Sequence, residues 1–386
     1  MSSHDQNEIS PAEFQKITRE KFYRAIREEA KPLLAWFSLT DDCNLRCRYC
    51  FADAHFCQCN LEQPPERKND PLSTEDVYAI LDNVAEAGTI AVQFAGGEPT
   101  LRDDLVDLVW YAAEVKGMFI ALNTNGSLLN DQLIERLAAA GLGQVKVSVD
   151  GLKESHDWNR GKGTFEKAIN ALKGFKAAGV PSVILIMTLS KINYHELPET
   201  IALCEDLGVQ FTMVEFLPLG HAHGKKDWVL TKEQRKETQR YLFKQQNKKG
   251  LANIIFENRY IVSEQEETKK ILVEPCAHCG FFDFGVGCIS GIYNYMITAS
   301  GKVATGDMLH LEIGDLKKQS LKEIWKNAEM LKQLRNRENL KGKCGRCAYK
   351  YVCGGCRRAA YIFTGDLMGP DPYCWVEESN EDGTIR

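Results

Sequence analysis

Several features are missing from this sequence, and each absence removes a class of protein. No stretch of about 18 consecutive apolar residues occurs, so no segment is expected to span a membrane. The first ten residues, MSSHDQNEIS, lack the apolar core of a secretory signal. A formal charge of −5 gives no electrostatic reason to expect nucleic acid or an anionic membrane as a partner. Together these absences predict a cytoplasmic globular protein.

Cysteine, by contrast, is abundant, with 14 in 386 residues. Because the cytosol keeps thiols reduced, clustered cysteines there indicate metal binding or catalysis before disulfides. All but one fall into four groups, at residues 43–50, 57–59, 276–288 and 344–374. The exception is Cys204, in an apolar helical stretch where a small buried side chain is expected.

Short apolar runs alternate with longer amphipathic ones from about residue 35 to residue 215. Six of the apolar runs are predicted strands, at residues 33–39, 90–95, 119–124, 145–150, 182–189 and 211–216. Continuously apolar strands that alternate with helices indicate a parallel sheet covered by helices, which can curl into part of a barrel. We therefore expect an α/β fold containing a partial (β/α)6 TIM-like barrel, with reactive groups after the C-terminal ends of its strands.

The alternation stops near residue 255, which suggests a change of domain. The predicted parts are an N-terminal helical segment, the partial barrel, a connector and a cysteine-rich domain, at residues 1–34, 35–224, 225–254 and 255–386. In the last part, residues 293–305 are expected to form a hairpin that turns at Ser300 and Gly301. A helix is predicted over residues 321–336.

The first cysteine group has the sequence CNLRCRYC, with Cys43, Cys47 and Cys50 on one short loop. Three thiolates can hold three corners of a [4Fe–4S] cluster, for which a complete protein set would need four. The missing ligand would leave one iron open to a small molecule, as in catalytic metal sites. A zinc site completed by His55, Cys57 or Cys59, or a set of unrelated surface thiols, is an alternative.

CNLRCRYCF resembles the CxxxCxxC signature of the radical S-adenosylmethionine (SAM) superfamily, with an aromatic residue, Tyr49, before the third cysteine. The resemblance implies that the open iron binds the amino and carboxylate groups of SAM. It also implies reductive cleavage of SAM to a 5′-deoxyadenosyl radical, which abstracts hydrogen from a substrate. The cofactor supplies this chemistry and the protein positions it. A reductase such as flavodoxin or ferredoxin is the implied electron donor.

Three further motifs occur in the family's order, each at the end of a predicted strand: AGGEPTL (95–101), NTNGSLL (123–129) and VSVDG (147–151). The resemblance places Glu98 at the ammonium of SAM, a charge-assisted contact. It places Ser148, and less directly Asp150, at the ribose or carboxylate. Ordinary glycine-rich turns are the alternative for the first two motifs.

A fourth motif, HDWNRGKGTF (156–165), resembles a stretch of close relatives and adds Arg160 as a carboxylate partner. Positions in the last two strands add Met187 and Thr188 beside the adenosine, and Phe216 and Leu217 beside the adenine. The full predicted cofactor-binding set is Tyr49, Gly96, Gly97, Glu98, Asn123, Asn125, Ser148, Arg160, Met187, Phe216 and Leu217.

The last cysteine group has the spacing Cys344-x2-Cys347-x5-Cys353-x2-Cys356, followed by Cys374. Five residues between the pairs are fewer than the roughly 15–20 of a zinc ribbon. The pattern resembles the SPASM extension of radical SAM enzymes, which binds auxiliary [4Fe–4S] clusters. Its ending is similar to that of enzymes of haem and haem d1 biosynthesis and of peptide-derived redox cofactors. The resemblance assigns one auxiliary cluster to Cys344, Cys347, Cys353 and Cys374. Electron transfer is its implied role, and a purely structural role is the alternative.

A second auxiliary cluster is less regular in this sequence. The segment after Cys288 has no cysteine at residues 294–296 or at Gly306, where the family pattern expects them. The hypothesis is that Cys276, Cys279, Cys288 and Cys356 compensate; unligated thiols or an open substrate site are the alternatives. The expected cofactors are thus SAM and two [4Fe–4S] clusters, or three if this set also binds one. Cys57 and Cys59, in an insertion, either contact a substrate or partner or are merely exposed.

The predicted function is oxidation of a tetrapyrrole side chain, by decarboxylation or dehydrogenation, with Arg160, Arg357 and Arg358 as candidate partners of its carboxylates. The alternative is maturation of a ribosomally made peptide or a protein side chain. The short segment before the first strand favours the tetrapyrrole, since many peptide maturases carry a leader-binding domain of roughly 80 residues. A non-catalytic iron–sulfur electron carrier would explain the cysteines but not the GGEP loop or Ser148.

Overall fold

The computed structural model describes residues 10–28, 30–52, 55–56, 72–249, 254–255, 287–306 and 311–376. The strands in these ranges are β1 Leu34–Thr40, β2 Asp42–Cys43, β3 His55–Phe56, β4 Ala91–Gly96, β5 Phe119–Thr124, β6 Gln144–Ser148, β7 Ser182–Leu189, β8 Gln210–Glu215, β9 Ile254–Ile255, β10 Asn294–Ile297, β11 Lys302–Ala304 and β12 Glu312–Asp315.

The helices of the same ranges cover the sheet and connect its strands. In chain order they are α1 Pro11–Glu28, α2 Thr74–Glu86, α3 Leu105–Trp110, α4 Asp131–Ala139, α5 Lys153–Arg160, α6 Thr164–Ala177, α7 Leu197–Leu207, α8 Lys232–Lys249, α9 Leu321–Asn327, α10 Glu329–Leu334, α11 Gly342–Arg346 and α12 Arg357–Thr364. None of these described helices has both the length and the apolar character that crossing a membrane requires.

Ten strands form one sheet, in the order β12-β11-β10-β1-β4-β5-β6-β7-β8-β9. The strands from β10 to β9 in this order pair in parallel, and β11 and β12 add an antiparallel meander to β10. The edge strands β12 and β9 do not pair with each other in the described sheet, so the barrel is open. The α/β fold with a partial barrel is thereby confirmed.

The C-terminal cysteine-rich segment is part of this same sheet. Its strand β10 pairs with β1, with Leu34 opposite Asn294 and Phe37 opposite Ile297. The boundary expected at residue 255 therefore does not separate two sheets. The predicted hairpin is present as β10 and β11, and Gly301 in its turn has a φ of +84°.

Side chains alternate between the two faces of the strands, as strand geometry requires. Phe37, Phe94 and Leu122 are fully buried in the core between the sheet and its helices. Residues one position away, such as Trp36 and Gln93, line a cavity on the inner face. This alternation decides which strand residues can reach a ligand inside the partial barrel.

Local sequence explains several helix boundaries. Ser73 and Asp76 form a capping box at the start of α2, and Ser320 and Glu323 form one at the start of α9. The single helix predicted over residues 321–336 is instead two, because Ala328 has an extended backbone at ψ 119°.

Candidate active site

The loop that carries the first three cysteines packs backbone to backbone against the GGEP loop. The amide of Gly97 donates to the Thr40 carbonyl at 2.7 Å, and that of Glu98 donates to the Asp42 carbonyl at 2.8 Å. A Cβ on Gly97 would lie 2.0 Å from the Asp42 oxygen, and one on Gly96 would lie 2.3 Å from the Thr40 oxygen. Because they have no side chain, these glycines allow the cysteine loop to pack against the GGEP loop. The role predicted from the sequence was a different one, the close approach of the backbone to a ligand.

Glu98 is a buried carboxylate, with only 1% of its surface exposed. Its Oε1 accepts hydrogen bonds from the hydroxyls of Thr100 at 2.6 Å and Thr124 at 2.7 Å, and its Oε2 accepts from the Asn125 amide at 2.8 Å. Burial raises the pKa of Glu98 although these donors act in the opposite direction. Since none of the ion pairs among the described residues includes Glu98, a cationic ligand would stabilise its charged form.

The end of β5 is tied to the cysteine loop by side-chain amides. Asn125 donates to Asn44 Oδ1 at 2.9 Å, and Asn44 donates to Ser127 Oγ at 2.7 Å. Asn123 contributes a different feature, because its Oδ1 is buried and has no hydrogen-bond partner among the described residues. Such an acceptor is costly unless a ligand satisfies it.

Arg160 forms a buried ion pair with Asp150 through its Nε. Burial alone would raise the pKa of Asp150, but the Arg160 guanidinium and further hydrogen bonds hold it below its usual value. The other oxygen of Asp150 accepts from the Thr188 amide at 2.9 Å, and Arg160 Nη1 lies 3.9 Å from Cys47 Sγ. The carboxylate that pairs with Arg160 is thus Asp150 of this chain. The guanidinium of this ion pair contacts Cys47 and so helps to fix its position.

Two cavities adjoin inside the partial barrel, the smaller at the C-terminal ends of the strands and the larger toward their N-terminal ends. The smaller, of about 130 Å³, contains most of the predicted cofactor residues in its lining: Cys43, Cys47, Tyr49, Cys50, Gly96, Gly97, Glu98, Asn123, Asn125, Ser148 and Arg160. The larger, of about 560 Å³, occupies the inner face of the sheet. Trp36, Ile186 and Val214 line both cavities, so a ligand in one would lie next to a ligand in the other.

Met187 does not belong to this set and its predicted position is corrected. It is fully buried in the helix-facing core, since β7 points Ile186 and Thr188, not Met187, into the smaller cavity. Phe216 lies behind the lining, with its ring centroid 5.8 Å from that of Tyr49. Leu217 lines the larger cavity instead.

The C-terminal cysteines form a second polar centre in an otherwise apolar region. Backbone amides donate to three of the sulfurs: Asp371 to Cys344 at 3.3 Å, Tyr349 to Cys347 at 3.4 Å and Gly355 to Cys353 at 3.4 Å. Neighbouring cysteines of this set, Cys344 among them, contribute to raising the pKa of Cys347, Cys353 and Cys374, so the four thiols lie near one another. Burial raises the pKa of Cys347, Cys353 and Cys374 to about 12.

Two buried guanidinium groups flank these cysteines. Arg337 and Arg357 are 2% and 1% exposed, and none of the ion pairs among the described residues includes either. Arg357 Nη2 lies 3.5 Å from Cys344 Sγ, while Arg337 donates to the Cys288 carbonyl at 2.9 Å. Burying two cations without a carboxylate partner is unfavourable unless an anionic group is present. An iron–sulfur cluster bound by four thiolates would supply that negative charge.

Cys288 and Cys356 occupy different surroundings. The Cys288 amide donates to the Cys353 carbonyl at 3.1 Å, so Cys288 lies against the four-cysteine centre. Cys356 caps α12 and lines the larger cavity. Cys276 and Cys279 lie outside the described residues, as do Cys57 and Cys59, so the second auxiliary set stays a prediction.

Comparison with known proteins decides the family. A profile of the radical SAM superfamily matches residues 37–204, and one of an iron–sulfur cluster-binding domain, SPASM, matches residues 288–348. The AdoMet-dependent heme synthase of Methanosarcina barkeri is 32% identical over 348 residues, covering 89% of this chain and 96% of that protein. The chain belongs to the radical SAM superfamily.

Two further similarities agree with this membership. The mycofactocin maturase MftC of Mycolicibacterium smegmatis is 29% identical, covering 92% of this chain and 85% of that protein. The structure of Streptococcus suis SuiB bound to its precursor peptide SuiA superposes with a TM-score of 0.69, at 18% identity, over 97% of this chain and 84% of that one. This last likeness concerns the fold alone.

As a radical SAM enzyme of the SPASM type, the protein uses SAM and [4Fe–4S] clusters, and its donor sets fit them. Burial raises the pKa of Cys43 to about 12 and of Cys47 to about 11, so these thiols need a bound cation to ionise at neutral pH. A cubane cluster would offer each of the three thiolates a different iron, which suits ligands on one short loop. The zinc alternative involves Cys57 and Cys59, which lie outside the described residues.

Some site residues were not identified from the sequence. Asp371 accepts from the amides of Cys356 at 2.7 Å and Tyr373 at 2.9 Å, and so shapes the segment that precedes Cys374. Its place in the DPxC ending was the available signal. Arg337 stands in an ordinary polar stretch, RNRENL, and no local pattern distinguishes it from an exposed arginine.

Proposed function

We propose that this radical SAM enzyme oxidatively modifies a side chain of a tetrapyrrole in the cytoplasm. The observation that carries the proposal is the joining of two cavities, one lined by Cys43, Cys47, Cys50 and Glu98, the other large enough for a substrate. A cofactor in the first would face a substrate in the second across shared walls. Hydrogen transfer needs this adjacency.

In this proposal Cys43, Cys47 and Cys50 would hold the first cluster, which would supply the electron for reductive cleavage of SAM. Glu98 accepts a hydrogen bond from the ammonium of SAM, since it is the buried carboxylate of the cavity without an ion-pair partner among the described residues. Tyr49, Asn123, Asn125 and Ser148 orient the rest of the cofactor. The Asp150–Arg160 ion pair fixes the position of Arg160, which lines the cofactor cavity beside Cys47.

The larger cavity supplies the contacts proposed for the substrate. Lys146 and Arg358 place two positive charges in its lining, which suits a substrate that carries propionate carboxylates. Arg357 is not part of this set, because its guanidinium is committed to the carbonyls of Leu367 and Gly369. Similarity to a heme synthase over nearly the whole of both chains supports a tetrapyrrole.

The auxiliary centre is proposed to accept an electron from the substrate. Removal of a hydrogen atom from the β-carbon of a propionate leaves a carbon radical, and 5′-deoxyadenosine is formed. Loss of CO2 then yields a vinyl group and one electron, which needs an acceptor. A cluster bound by Cys344, Cys347, Cys353 and Cys374 fits this role, because Tyr373, next to Cys374, lines the substrate cavity.

The decisive experiment is anaerobic reconstitution followed by reaction with dithionite, SAM and iron coproporphyrin III. We expect 5′-deoxyadenosine, together with a porphyrin that has lost CO2 from a propionate, detected by mass spectrometry. The Cys50→Ala variant should yield neither product, whereas Cys204→Ala, at an isolated buried thiol, should retain both. Formation of 5′-deoxyadenosine without any change in the porphyrin would contradict the tetrapyrrole assignment.

Peptide maturation remains the second candidate, favoured by the similarity to the mycofactocin maturase. A parallel reaction with the precursor peptides encoded near this gene separates the two functions. Crosslinking, dehydrogenation or decarboxylation of such a peptide, with no change in the porphyrin, would establish the second candidate in place of the first. The electron donor proposed for either function is a reductase such as flavodoxin or ferredoxin.

A further inference from the structure

A third cavity lies on the outer side of the first cysteine loop, where the proposed reaction does not use it. It has a volume of about 1120 Å³ and is bounded by the cysteine loop, the α5–α6 region and residues 221–228. We call it the outer groove. Its cationic side chains, apart from the paired Arg160, are those of Arg46, Arg48, Lys162, Lys167 and Lys225.

The charge of the outer groove is opposite to that of the chain, which carries a formal −5. Asp157 is the one carboxylate among the described residues that line it, and its two oxygens accept from the amides of Gly163 and Phe165. Lys162 and Lys167 are exposed, and none of the ion pairs of the described ranges includes them. The groove is therefore a concentrated positive field suited to an anionic partner.

The outer groove also reaches the cysteines. Cys47 lines both this groove and the smaller cofactor cavity, so one cluster ligand forms part of the wall between them. The exposed ring of His221 lies 3.1 Å from the Cys47 carbonyl through its Nδ1, and the His221 amide donates to the Cys50 carbonyl at 3.0 Å. A Cβ on Gly220 would lie 2.2 Å from the Cys50 oxygen, so glycine is needed for this contact.

We propose that the outer groove is the docking surface for the protein that reduces the first cluster, an acidic one-electron donor of the flavodoxin type. This inference rests on the proposed function, which requires one electron for each SAM cleaved. The anionic flavin hydroquinone gives up one electron and becomes the neutral semiquinone, while the [4Fe–4S]2+ cluster becomes [4Fe–4S]1+. No proton changes place in the step. His221 and Cys47 mark the point of shortest approach.

Position favours an electron-donating protein over the other anionic partners. The lining of the open groove includes both the cationic side chains and Cys47, so a partner bound there lies against the cysteine loop. An electron donor needs that proximity, whereas an anionic membrane does not. A protein with an acidic edge around its flavin would meet the positive lining. Electrostatic attraction then raises the association rate and weakens with added salt.

The test replaces cationic side chains that lie outside the cysteine loop. The variant Lys162→Glu, Lys167→Glu, Lys225→Glu reverses three exposed charges of the groove. The control Lys317→Glu, Lys322→Glu, Lys326→Glu makes the same charge change on an exposed surface near α9. Each protein, fully reconstituted, is assayed for 5′-deoxyadenosine with reduced flavodoxin and, separately, with dithionite. Binding of oxidised flavodoxin is measured by calorimetry at several salt concentrations.

We expect the flavodoxin-driven rate of the groove variant at low salt, divided by its own dithionite-driven rate, to fall about tenfold or more. The flavodoxin-driven rate of this variant should also depend much less on salt than that of the wild type. Flavodoxin binding should weaken in parallel, while the control keeps wild-type values. Equal flavodoxin-driven rates and equal flavodoxin binding in the wild type, the groove variant and the control would overturn the assignment of the outer groove as the docking surface. So would binding of the wild type to phosphatidylglycerol vesicles but not to flavodoxin.

The two readouts separate this inference from the proposed function. If dithionite produces no 5′-deoxyadenosine in any of the proteins, the proposed function fails. The calorimetric comparison still decides the docking surface in that case, because it does not depend on turnover. Retained dithionite-driven activity together with unchanged flavodoxin binding in the groove variant would contradict the surface alone.

Discussion

Gly97 shows how a single residue position supports the first metal site. The site requires two loops to meet through their backbones, and the hydrogen bonds from Gly97 and Glu98 to the Thr40 and Asp42 carbonyls make that contact. The space for a side chain at Gly97 is filled by the backbone of Asp42 and Asp41. Because backbone atoms cannot rotate away as a flexible side chain can, the requirement for glycine here is steric.

Gly97→Ala is accordingly expected to displace the cysteine loop. The protein should retain its auxiliary iron and lose about four irons per chain from the first site, together with SAM cleavage. Iron and sulfide analysis after reconstitution measures this loss. The matched control is Gly174→Ala in α6, where the backbone is ordinarily helical and the nearest atom to a Cβ is the movable end of the Ile134 side chain, at 2.7 Å. Full iron content in Gly97→Ala would show that the two loops can separate without loss of the cluster.

Arg337 makes an electrostatic contribution that can be measured. Its cation is buried near Cys288, Cys344 and Cys353, and removal of a positive charge near a cluster disfavours the reduced form. Arg337→Gln should therefore lower the reduction potential of the auxiliary cluster by tens of millivolts in an anaerobic titration followed by electron paramagnetic resonance. The first cluster provides an internal reference, since its potential should not move.

Arg335→Gln is the matched control for that measurement. Arg335 donates to the carbonyls of Gly291 and Trp325, and its guanidinium lies over the Trp325 ring at 4.5 Å. Equal shifts in the two variants would contradict a specific effect of Arg337 on the cluster.

At the scale of elements, the strands could be predicted from the sequence because their pattern is local. Continuous apolar runs marked β1 and β4 to β8 closely, and β5 and β7 have the predicted bounds. The faces of the strands are harder to predict: the family resemblance puts Met187 beside the adenosine, whereas period-two alternation from Thr188 puts it in the core, where the structure has it. The break at Ala328 was also missed, since nothing in its neighbourhood disfavours a helix.

Helix α1 has a role that its amphipathic sequence alone did not reveal. Phe14 is 2% exposed and packs with Tyr349 and Val352, beside Cys347 and Cys353. Further along, Phe22 packs with Tyr351. The helix thus covers the four-cysteine centre and excludes water from it, which affects both the stability and the potential of a cluster there.

Phe14→Ala should open this cover. Loss of a buried phenylalanine costs about 3–5 kcal/mol where the cavity cannot collapse, and the auxiliary cluster should lose iron faster to a chelator than in the wild type. Time courses of bleaching with bathophenanthroline test this. Phe119→Ala, at a side chain that is 49% exposed, serves as the control and should bleach at the wild-type rate.

At the scale of the whole molecule, the partial barrel and the C-terminal cysteine-rich segment share one hydrophobic core. The division into a barrel and a cysteine-rich domain followed the sequence pattern, which carries no information about the pairing of β1 with β10 across more than 250 residues. Side-chain contacts reinforce that pairing. The hydroxyl of Tyr295 lies 2.7 Å from Thr89 Oγ1, and Trp325 donates to the Ala30 carbonyl at 3.1 Å.

A chain that ends at residue 255 is therefore not expected to fold into a working barrel. Truncation there removes β10, leaves the apolar strand β1 as an unpaired edge, and exposes the part of the core that Tyr295, Ile297 and Trp325 complete. The fragment should aggregate and retain no iron, as size-exclusion chromatography and iron analysis would show, whereas the full chain prepared in parallel should remain soluble and bind iron. A soluble fragment that holds four irons and cleaves SAM would instead establish two independent units, and the shared sheet would then be a docking contact rather than a condition for folding.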